Sequence, residues 1–247
     1  MLIESWAYCN RWRWVHPGAK GLLTLLAFIS AFVATQPWFL FALALGLAML
    51  TMVGAGIPLQ YYLRVFVPPL GFLVIGAATL AISIRSTDSL WPVAIAWEPS
   101  QFPQVIRLCG RSLACLTALL FLAFTTPMTD LIALLRRLKM PAILLEIMTL
   151  GYRLVFVFLS AAQDITTAQK ARLGYATVRA ARRSLGNMVA VLAIQVWQRA
   201  AALERAALSR ANDGPLLFLD NEFTGSRSCF AVSGAGGLTL LLLALLL

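Results

Sequence analysis

The sequence predicts an all-α membrane protein with about five transmembrane helices and long amphipathic helices on the cytoplasmic side. The first indication is composition: of 247 residues, 60% are hydrophobic and only 12% are charged, whereas a soluble domain is typically about 45–50% apolar and about 25% charged. So few polar side chains do not cover the surface of a soluble fold of this size. The second is that the apolar runs approach the roughly 20 residues needed to cross a bilayer.

Four spans are predicted in the first half of the chain. Residues 21–55 form one uncharged apolar run, which Gln36-Pro37-Trp38 interrupts. Because proline breaks a helix and tryptophan favours the membrane interface, we expect two short helices with a tight turn between them. A third span follows a Gly/Pro turn, and a fourth follows a charged, proline-containing loop at 85–107. The predicted bounds are 21–35, 38–54, 65–84 and 108–126.

A short amphipathic helix is predicted next, over residues 127–140. It begins with Thr126-Pro127 and an early Asp130, and its last turn is basic, which complements the helix dipole. Four leucines recur at helical spacing and make one face apolar. They are Leu131, Leu134, Leu135 and Leu138.

Charge sets the predicted topology of the second half. Residues 165–228 carry nine Lys or Arg but only four Asp or Glu. Basic segments stay on the cytoplasmic side, and the basic N-terminus with four spans returns the chain to that side. A full crossing by residues 141–162 would export the basic segment. We therefore expect helices over 141–172 and 185–210 that do not each span, and a cytoplasmic segment from Gln163 to Arg227.

The last apolar run, residues 231–247, then makes the fifth span. The chain divides into three predicted regions: 1–126 with the N-terminal segment and four spans, 127–228 with the cytoplasmic-side amphipathic helices, and 229–247 with the final span.

No catalytic constellation is found. The chain has one histidine, His16, and four cysteines without a CxxC pair. It has no phosphate-binding GxxxxGK[ST] loop and no HExxH motif. We expect no catalytic residue, no metal ligand and no bound cofactor. The net charge of +10 is attributed to the positive-inside bias rather than to nucleic-acid binding, because no basic platform interleaved with aromatics is present.

Two arginines at helix ends are the most informative residues. The helix over 141–172 ends at Arg172 and that over 185–210 at Arg210, each beside small residues and followed by a glycine. An arginine there complements the helix dipole. It also suits a helix tip that enters a groove and pairs bidentately with an acidic partner. From the residues alone both interpretations stay open. Glu146 and Arg153, on one helical face, are interpreted as a structural pair.

Several segments in order resemble a known family. The chain is similar to the transmembrane T component of energy-coupling factor (ECF) transporters, in particular the cobalt-type CbiQ family. The resemblance covers nearly the whole chain. It is carried by Ala7-Tyr8, Arg11 to Arg13, His16 to Lys20, Thr126 to Pro141, Tyr152-Arg153, Ala168 to Tyr175, Arg182 to Gly186 and Glu204 to Ala206.

The resemblance implies that two helix tips dock into two cytoplasmic ABC-type ATPase subunits. The implied docking residues are Ala171, Arg172, Leu173, Ser209, Arg210 and Ala211. Both tips depart from an Ala-Arg-Gly pattern: Leu173 stands in the glycine position of the first, and Ser209-Arg210-Ala211 forms the second. Since both arginines remain, docking is still expected.

The implied function is that of a non-catalytic coupling subunit in an ATP-driven cobalt importer of the bacterial inner membrane. ATP hydrolysis would take place on the partner ATPases. A separate substrate-binding membrane subunit, with a small accessory membrane subunit as a further candidate partner, would carry Co²⁺, with Ni²⁺ as a neighbouring option. Two alternatives remain: a self-sufficient secondary transporter and a membrane-embedded enzyme. The former requires ionisable groups inside the spans, and the first three predicted spans have none.

Overall fold

The computed structural model describes residues 2–85, 94–97, 102–211 and 226–246. Nine α-helices, one π-helical turn and one two-stranded antiparallel ribbon lie in these ranges. The helices are α1 Leu2–Cys9, α2 Pro17–Val33, α3 Pro37–Met49, α4 Leu59–Ala81, α5 Phe102–Thr125, α6 Met128–Arg137, α7 Ala142–Ala171, α8 Val178–Ser209 and α9 Ser226–Leu246. The π-helical turn is Leu50–Gly54, and the strands are β1 Ile82–Arg85 and β2 Ala94–Trp97. The predicted all-α membrane class is confirmed.

The chain forms two compact units. The first, the bundle unit, comprises residues 1–131 and 221–247, and the second, the hairpin unit, comprises residues 132–220. Helix α6 begins in the first and its residues from Ile132 onward belong to the second. The final apolar helix therefore belongs to the same unit as the first four.

Two buried clusters hold the bundle unit together. One joins α2, α3, α5 and α9 through small side chains such as Ala31, Ala114 and Ala244 around Leu40 and Leu43. Small residues let helix backbones approach closely, which drives packing where the surrounding lipid is as apolar as the protein.

The second cluster joins α4 and α5, with Tyr62 and Phe124 at its centre. Helix α5 contributes to both clusters. It is therefore the central helix of the bundle unit.

The hairpin unit is built differently. Helices α7 and α8 are linked by a short turn, and contacts between Gln169 and Ser184 and between Thr166 and Met188 show that they run antiparallel. Leu145 is the one buried residue of α7, and the described structure buries no residue of α8. The hairpin unit therefore presents most of its apolar side chains outward.

Among the described residues, five helices are long and apolar enough to cross a membrane, as many as predicted. Their membership differs in one helix. Helix α7 qualifies by length and composition, whereas α2, with 17 residues, falls among the shorter apolar helices. Residues 141–162 were predicted not to span because a crossing would export the basic segment that follows. Length and hydropathy alone favour a crossing. The orientation of α7 stays a prediction.

Several helix boundaries were predicted wrongly. Helix α5 begins at Phe102, six residues before the expected start, because Pro103 lies in the first turn, where no backbone N–H is needed. Helix α4 begins at Leu59 and α8 at Val178. Both starts were predicted too late because the first turns are polar or aromatic and lack the pattern of an apolar span. The break at Gln36-Pro37 is confirmed, because α2 ends at Val33 and α3 starts at Pro37.

Candidate functional site: two arginine-bearing helix tips

The first tip closes α7 with a complete Schellman motif. Helix α7 ends at Ala171, and Arg172 is its C-cap, with φ −95° and ψ 17°. Leu173 follows in the left-handed region, with φ 57°. The N–H of Gly174 donates to the carbonyl of Gln169 at 2.8 Å, and that of Leu173 donates to Lys170 at 3.0 Å. These two bonds satisfy carbonyls that a helix end otherwise leaves without partners.

The second tip repeats this backbone geometry. Helix α8 ends at Ser209, and Arg210 is its C-cap, with φ −100° and ψ 8°. Ala211 follows with φ 50°. Its N–H donates to the carbonyl of Leu208 at 3.1 Å. The two tips thus share an arginine at the C-cap and a left-handed residue directly after it.

The left-handed residue is glycine in neither tip. A residue with a Cβ atom in this conformation costs about 1–2 kcal/mol, which is why glycine usually occupies the position. In the described residues, three non-glycine residues have positive φ: Lys139, after α6, is the third beside Leu173 and Ala211. Leu173 and Ala211 therefore depart from the expected glycine in sequence but keep the backbone conformation that glycine would adopt.

All six predicted docking residues are exposed. Leu173 is the clearest case, since 75% of its surface is accessible although its side chain is apolar. In the described part of the chain, neither the Arg172 nor the Arg210 guanidinium forms a hydrogen bond or an ion pair. Each arginine therefore presents its donor groups outward, as docking requires.

The two tips lie at opposite ends of α8. Arg172 precedes the turn that leads into α8, and Arg210 follows its last residue. Helix α8 has 32 residues, so at about 1.5 Å per residue its ends are about 48 Å apart. The structure therefore does not bring the two arginines into one site; it places them at two separate ones.

A side-chain network braces the first tip. The Gln169 amide donates to the backbone carbonyl of Ser184 at 2.8 Å and accepts from the Tyr175 hydroxyl at 2.7 Å. The Ser184 hydroxyl donates to the carbonyl of Gly174 at 2.9 Å. A Cβ atom on Gly174 would lie 2.6 Å from the Ser184 oxygen, so only glycine fits there without movement.

The roles of Gln169, Tyr175 and Ser184 were not predicted. All three fall in segments that carry the family resemblance, which was the available signal. Polar side chains that fix a helix end act through long-range partners, and spacing along one helix does not reveal those partners. The network shows that the first tip is preorganised by the start of α8.

Among the described residues, the hydrogen bonds near the second tip are all local ones. The Ser209 hydroxyl donates to the carbonyl of Ala206 at 3.0 Å, and the Arg205 side chain donates to Ala201 at 3.1 Å. Both bonds stay within α8. As far as the described residues extend, the second tip is therefore held by bonds to the backbone of its own helix.

The proposed pair of Glu146 and Arg153 lies on α7, where Glu146 is half-buried and Arg153 is exposed. Seven residues of helix advance about 10.5 Å, which is long for a direct contact. Among the described side chains, no hydrogen bond or ion pair joins the two. Their pairing stays a prediction.

Within the described residues, no group of three or more His, Cys, Asp or Glu side chains is placed to hold a metal ion. The four cysteines are all unpaired thiols in the structure.

Comparison with known proteins gives consistent matches. The family model CbiQ, described as cobalt transport protein, matches residues 9–217. The cobalt transport protein CbiQ of Rhodobacter capsulatus is 38% identical over 219 residues, which cover 88% of this chain and 86% of the relative. CbiQ of Salmonella typhimurium is 30% identical over 209 residues, 80% of this chain and 90% of the relative.

A third relative is longer. It is a putative fused cobalt transport protein, CbiMQ, from Methanocorpusculum labreanum, with 26% identity over 227 residues. The match covers 90% of this chain but only 38% of that protein. Both helix tips lie within the residues that the family model matches.

Proposed function

Because the chain belongs to the CbiQ family of cobalt transport proteins, it is a multi-pass membrane component of a cobalt transporter in the bacterial inner membrane, and we propose that it acts as the mechanical coupling subunit. In this proposal two ABC-type ATPase subunits bind the tips at Arg172 and Arg210. A separate substrate-binding membrane subunit carries the ion. This chain links the two and hydrolyses no ATP itself.

The observation that carries the proposal is the repeated geometry of the tips. Two helices of one unit end with an exposed arginine at the C-cap and a left-handed residue after it. A dipole interaction alone requires a cation near the helix end, but it requires neither the same strained backbone nor the same exposure. Two equal tips about 48 Å apart suit two copies of one partner.

Arginine has the appropriate chemistry for such a contact. Its planar guanidinium offers five N–H donors and pairs bidentately with a carboxylate. The proposed partner surface is therefore a groove with an acidic side chain on each ATPase. When the two ATPases approach each other on binding ATP, the tips move with them, and α7 and α8 carry the displacement toward the membrane.

The fused relative supports a partner of a second kind. Its name joins CbiQ with another cobalt transport component in one chain, and this chain covers 38% of it. By analogy we propose that the present chain works beside a separate membrane polypeptide that binds Co²⁺, with a small accessory membrane subunit as a further candidate. The predicted division into residues 1–126, 127–228 and 229–247 is kept as the functional division of this proposal.

Charge reversal at both tips tests the docking. In Arg172→Glu/Arg210→Glu, each tip would present a carboxylate to an acidic partner. Losing one buried charged hydrogen-bonded pair typically costs about 2–5 kcal/mol, so recovery of ATPase subunits in co-purification should fall at least about tenfold, and cobalt uptake with it. Arg199→Glu, an exposed arginine in the middle of α8, is the matched control and should assemble normally. Normal assembly and uptake in the double variant would reject the docking role.

A further inference from the structure

The junction between α5 and α6 has an uncommon way of satisfying its backbone. Helix α5 ends at Thr125 and α6 begins at Met128. The last carbonyls of a helix lack partners within it, and Pro127, which is fully buried at the junction, has no N–H to donate to them. The carbonyls of Phe124 and Thr125 therefore need donors from elsewhere.

Two side chains from the N-terminal segment supply those donors. The Asn10 amide nitrogen donates to the carbonyls of Phe124 and Thr125 at 3.1 and 3.2 Å. The Lys20 ammonium donates to the carbonyl of Thr125 at 2.7 Å. Lys20 is 3% exposed and Asn10 is 7% exposed. The end of α5 is thus capped by residues more than 100 positions away in sequence.

Charge ties α6 to the same cap. Asp130 lies in the first turn of α6, is 4% exposed, and its carboxylate attracts the Lys20 ammonium. The ammonium lies at the negative end of the α5 dipole, and the carboxylate lies at the positive end of the α6 dipole. One lysine therefore interacts with the end of α5 and with the start of α6.

Burying a lysine is costly, and an apolar side chain often stabilises an interior as well or better. What the buried lysine provides is a fixed geometry: Nζ keeps its hydrogen bond to the Thr125 carbonyl and its attraction to the Asp130 carboxylate only while α5 and α6 keep their angle. That property is of use where a helix junction must not bend.

The N-terminal segment that carries the cap is itself anchored. The N–H of Arg11 donates to the carbonyl of Ala55 at 3.3 Å. The Trp12 ring contacts Gly54 so closely that a Cβ atom there would lie 2.6 Å from it. Trp12 also meets Phe121 of α5 edge-on, with ring centroids 6.0 Å apart. The cap is therefore a fixed part of the bundle unit.

We propose that Asn10 and Lys20 are positioning residues that hold α5 and the start of α6 as one rigid lever. The chain passes from the bundle unit into the hairpin unit through α6, and α5 contributes to both buried clusters of the bundle unit. A displacement that arrives along α6 is then transmitted to the core of the membrane bundle instead of being absorbed at residues 125–130. This inference rests on the proposed coupling function.

The test compares ATP hydrolysis with cobalt uptake in the assembled complex carrying Lys20→Met. ATPase subunits should co-purify as with the unsubstituted chain and hydrolysis should stay within about twofold, while uptake per ATP falls about tenfold, within the usual range of coupling effects. Lys139→Met, the same change at an exposed lysine, should leave the ratio unchanged. An unchanged ratio in Lys20→Met overturns the lever, whereas failure of the unsubstituted chain to capture ATPases rejects the coupling function itself.

A second variant guards against misfolding, because Lys20→Met removes a cation that attracts the buried Asp130 carboxylate. Lys20→Met/Asp130→Asn removes both charges. It should fold and hydrolyse ATP yet stay uncoupled, since the bond from Nζ to Thr125 is still missing. Restored uptake in this double variant would show that uptake depends on charge balance and not on the hydrogen bond from Nζ to Thr125, and would overturn the proposal.

A measurement on the unsubstituted complex needs no variant. Hydrogen exchange of the amides of residue 126 and of residues 128–131 should be equally slow without nucleotide and with bound ATP, because the junction moves as one body. If exchange in one of the two states is about 100-fold faster than in the other, the junction opens locally, and the proposed lever is wrong.

Discussion

The two helix tips share a backbone but differ in what holds it. At the first, Gln169, Tyr175 and Ser184 link the end of α7 to the start of α8. At the second, the described hydrogen bonds stay within α8. Within the described residues, a C-cap arginine is thus presented by a braced tip, held from another helix, and by a tip held within its own helix. Under the proposed docking, the first tip would meet its partner already ordered, while the second would gain order from the contact.

The largest effect is expected from Gly174→Ala, because the added methyl group fills space that the first tip requires. In Gly174→Ala the new methyl group would lie 2.6 Å from the Ser184 oxygen and 2.9 Å from the Gln169 carbonyl, so the tip should lose about 2 kcal/mol, as in other overpacked sites. Hydrogen exchange at the Gly174-adjacent amides, Leu173 and Tyr175, reports it.

Gly186→Ala is the matched control, because nothing lies within 4 Å of the added methyl group. Alanine inside a helix should stabilise α8 by about 1 kcal/mol. A destabilisation equal to that of Gly174→Ala would contradict the assigned packing at the first tip.

A smaller effect is expected from the bracing network. Gln169→Leu removes the bonds to Ser184 and Tyr175, and at about 0.5–1.5 kcal/mol for each hydrogen bond it should speed exchange of the Gly174 amide at least about fivefold. Ser209→Ala, which removes one local bond at the second tip, should change exchange there less. Equal effects at the two tips would erase the distinction between them.

The smallest effect concerns the left-handed residues. Leu173→Gly and Ala211→Gly relieve the strain of a Cβ atom at positive φ, and each should stabilise its tip by about 1 kcal/mol. Little burial is lost, since Leu173 is 75% exposed. Hydrogen exchange of the tip amides, measured as the chain is warmed in detergent, shows whether each change stabilises or destabilises its tip. Destabilisation by Ala211→Gly would show that the left-handed conformation is not the resting state of the second tip.

Local signals allowed much of the fold to be predicted. The break at Gln36-Pro37, the amphipathic α6 and the arginines at the ends of α7 and α8 all follow from proline geometry, periodicity and the helix dipole. The left-handed conformation at Leu173 and Ala211 could not be predicted, because propensity assigns that conformation to glycine. The family resemblance suggested a departure at both positions, and the structure shows that the backbone absorbs it.

Long-range polar contacts were equally beyond reach. In the sequence, Lys20 belongs to an N-terminal segment that carries the family resemblance. Nothing in the residues adjacent to it in sequence reveals that it caps Thr125, 105 positions away. The early start of α5 was missed for a simpler reason, since Arg107 and Pro103 interrupt the apolar pattern but not the helix.

The most direct test of the account is where the two tips make contact in the assembled transporter. A photo-reactive phenylalanine analogue is placed at Leu173, at Ala211, or at both, with exposed Val178 near the start of α8 as the reference position. The account predicts cross-links from 173 and from 211 to ATPase subunits, and two ATPase copies captured by the doubly labelled chain. Cross-links from neither tip, or from 178 as strongly as from both tips, would contradict it.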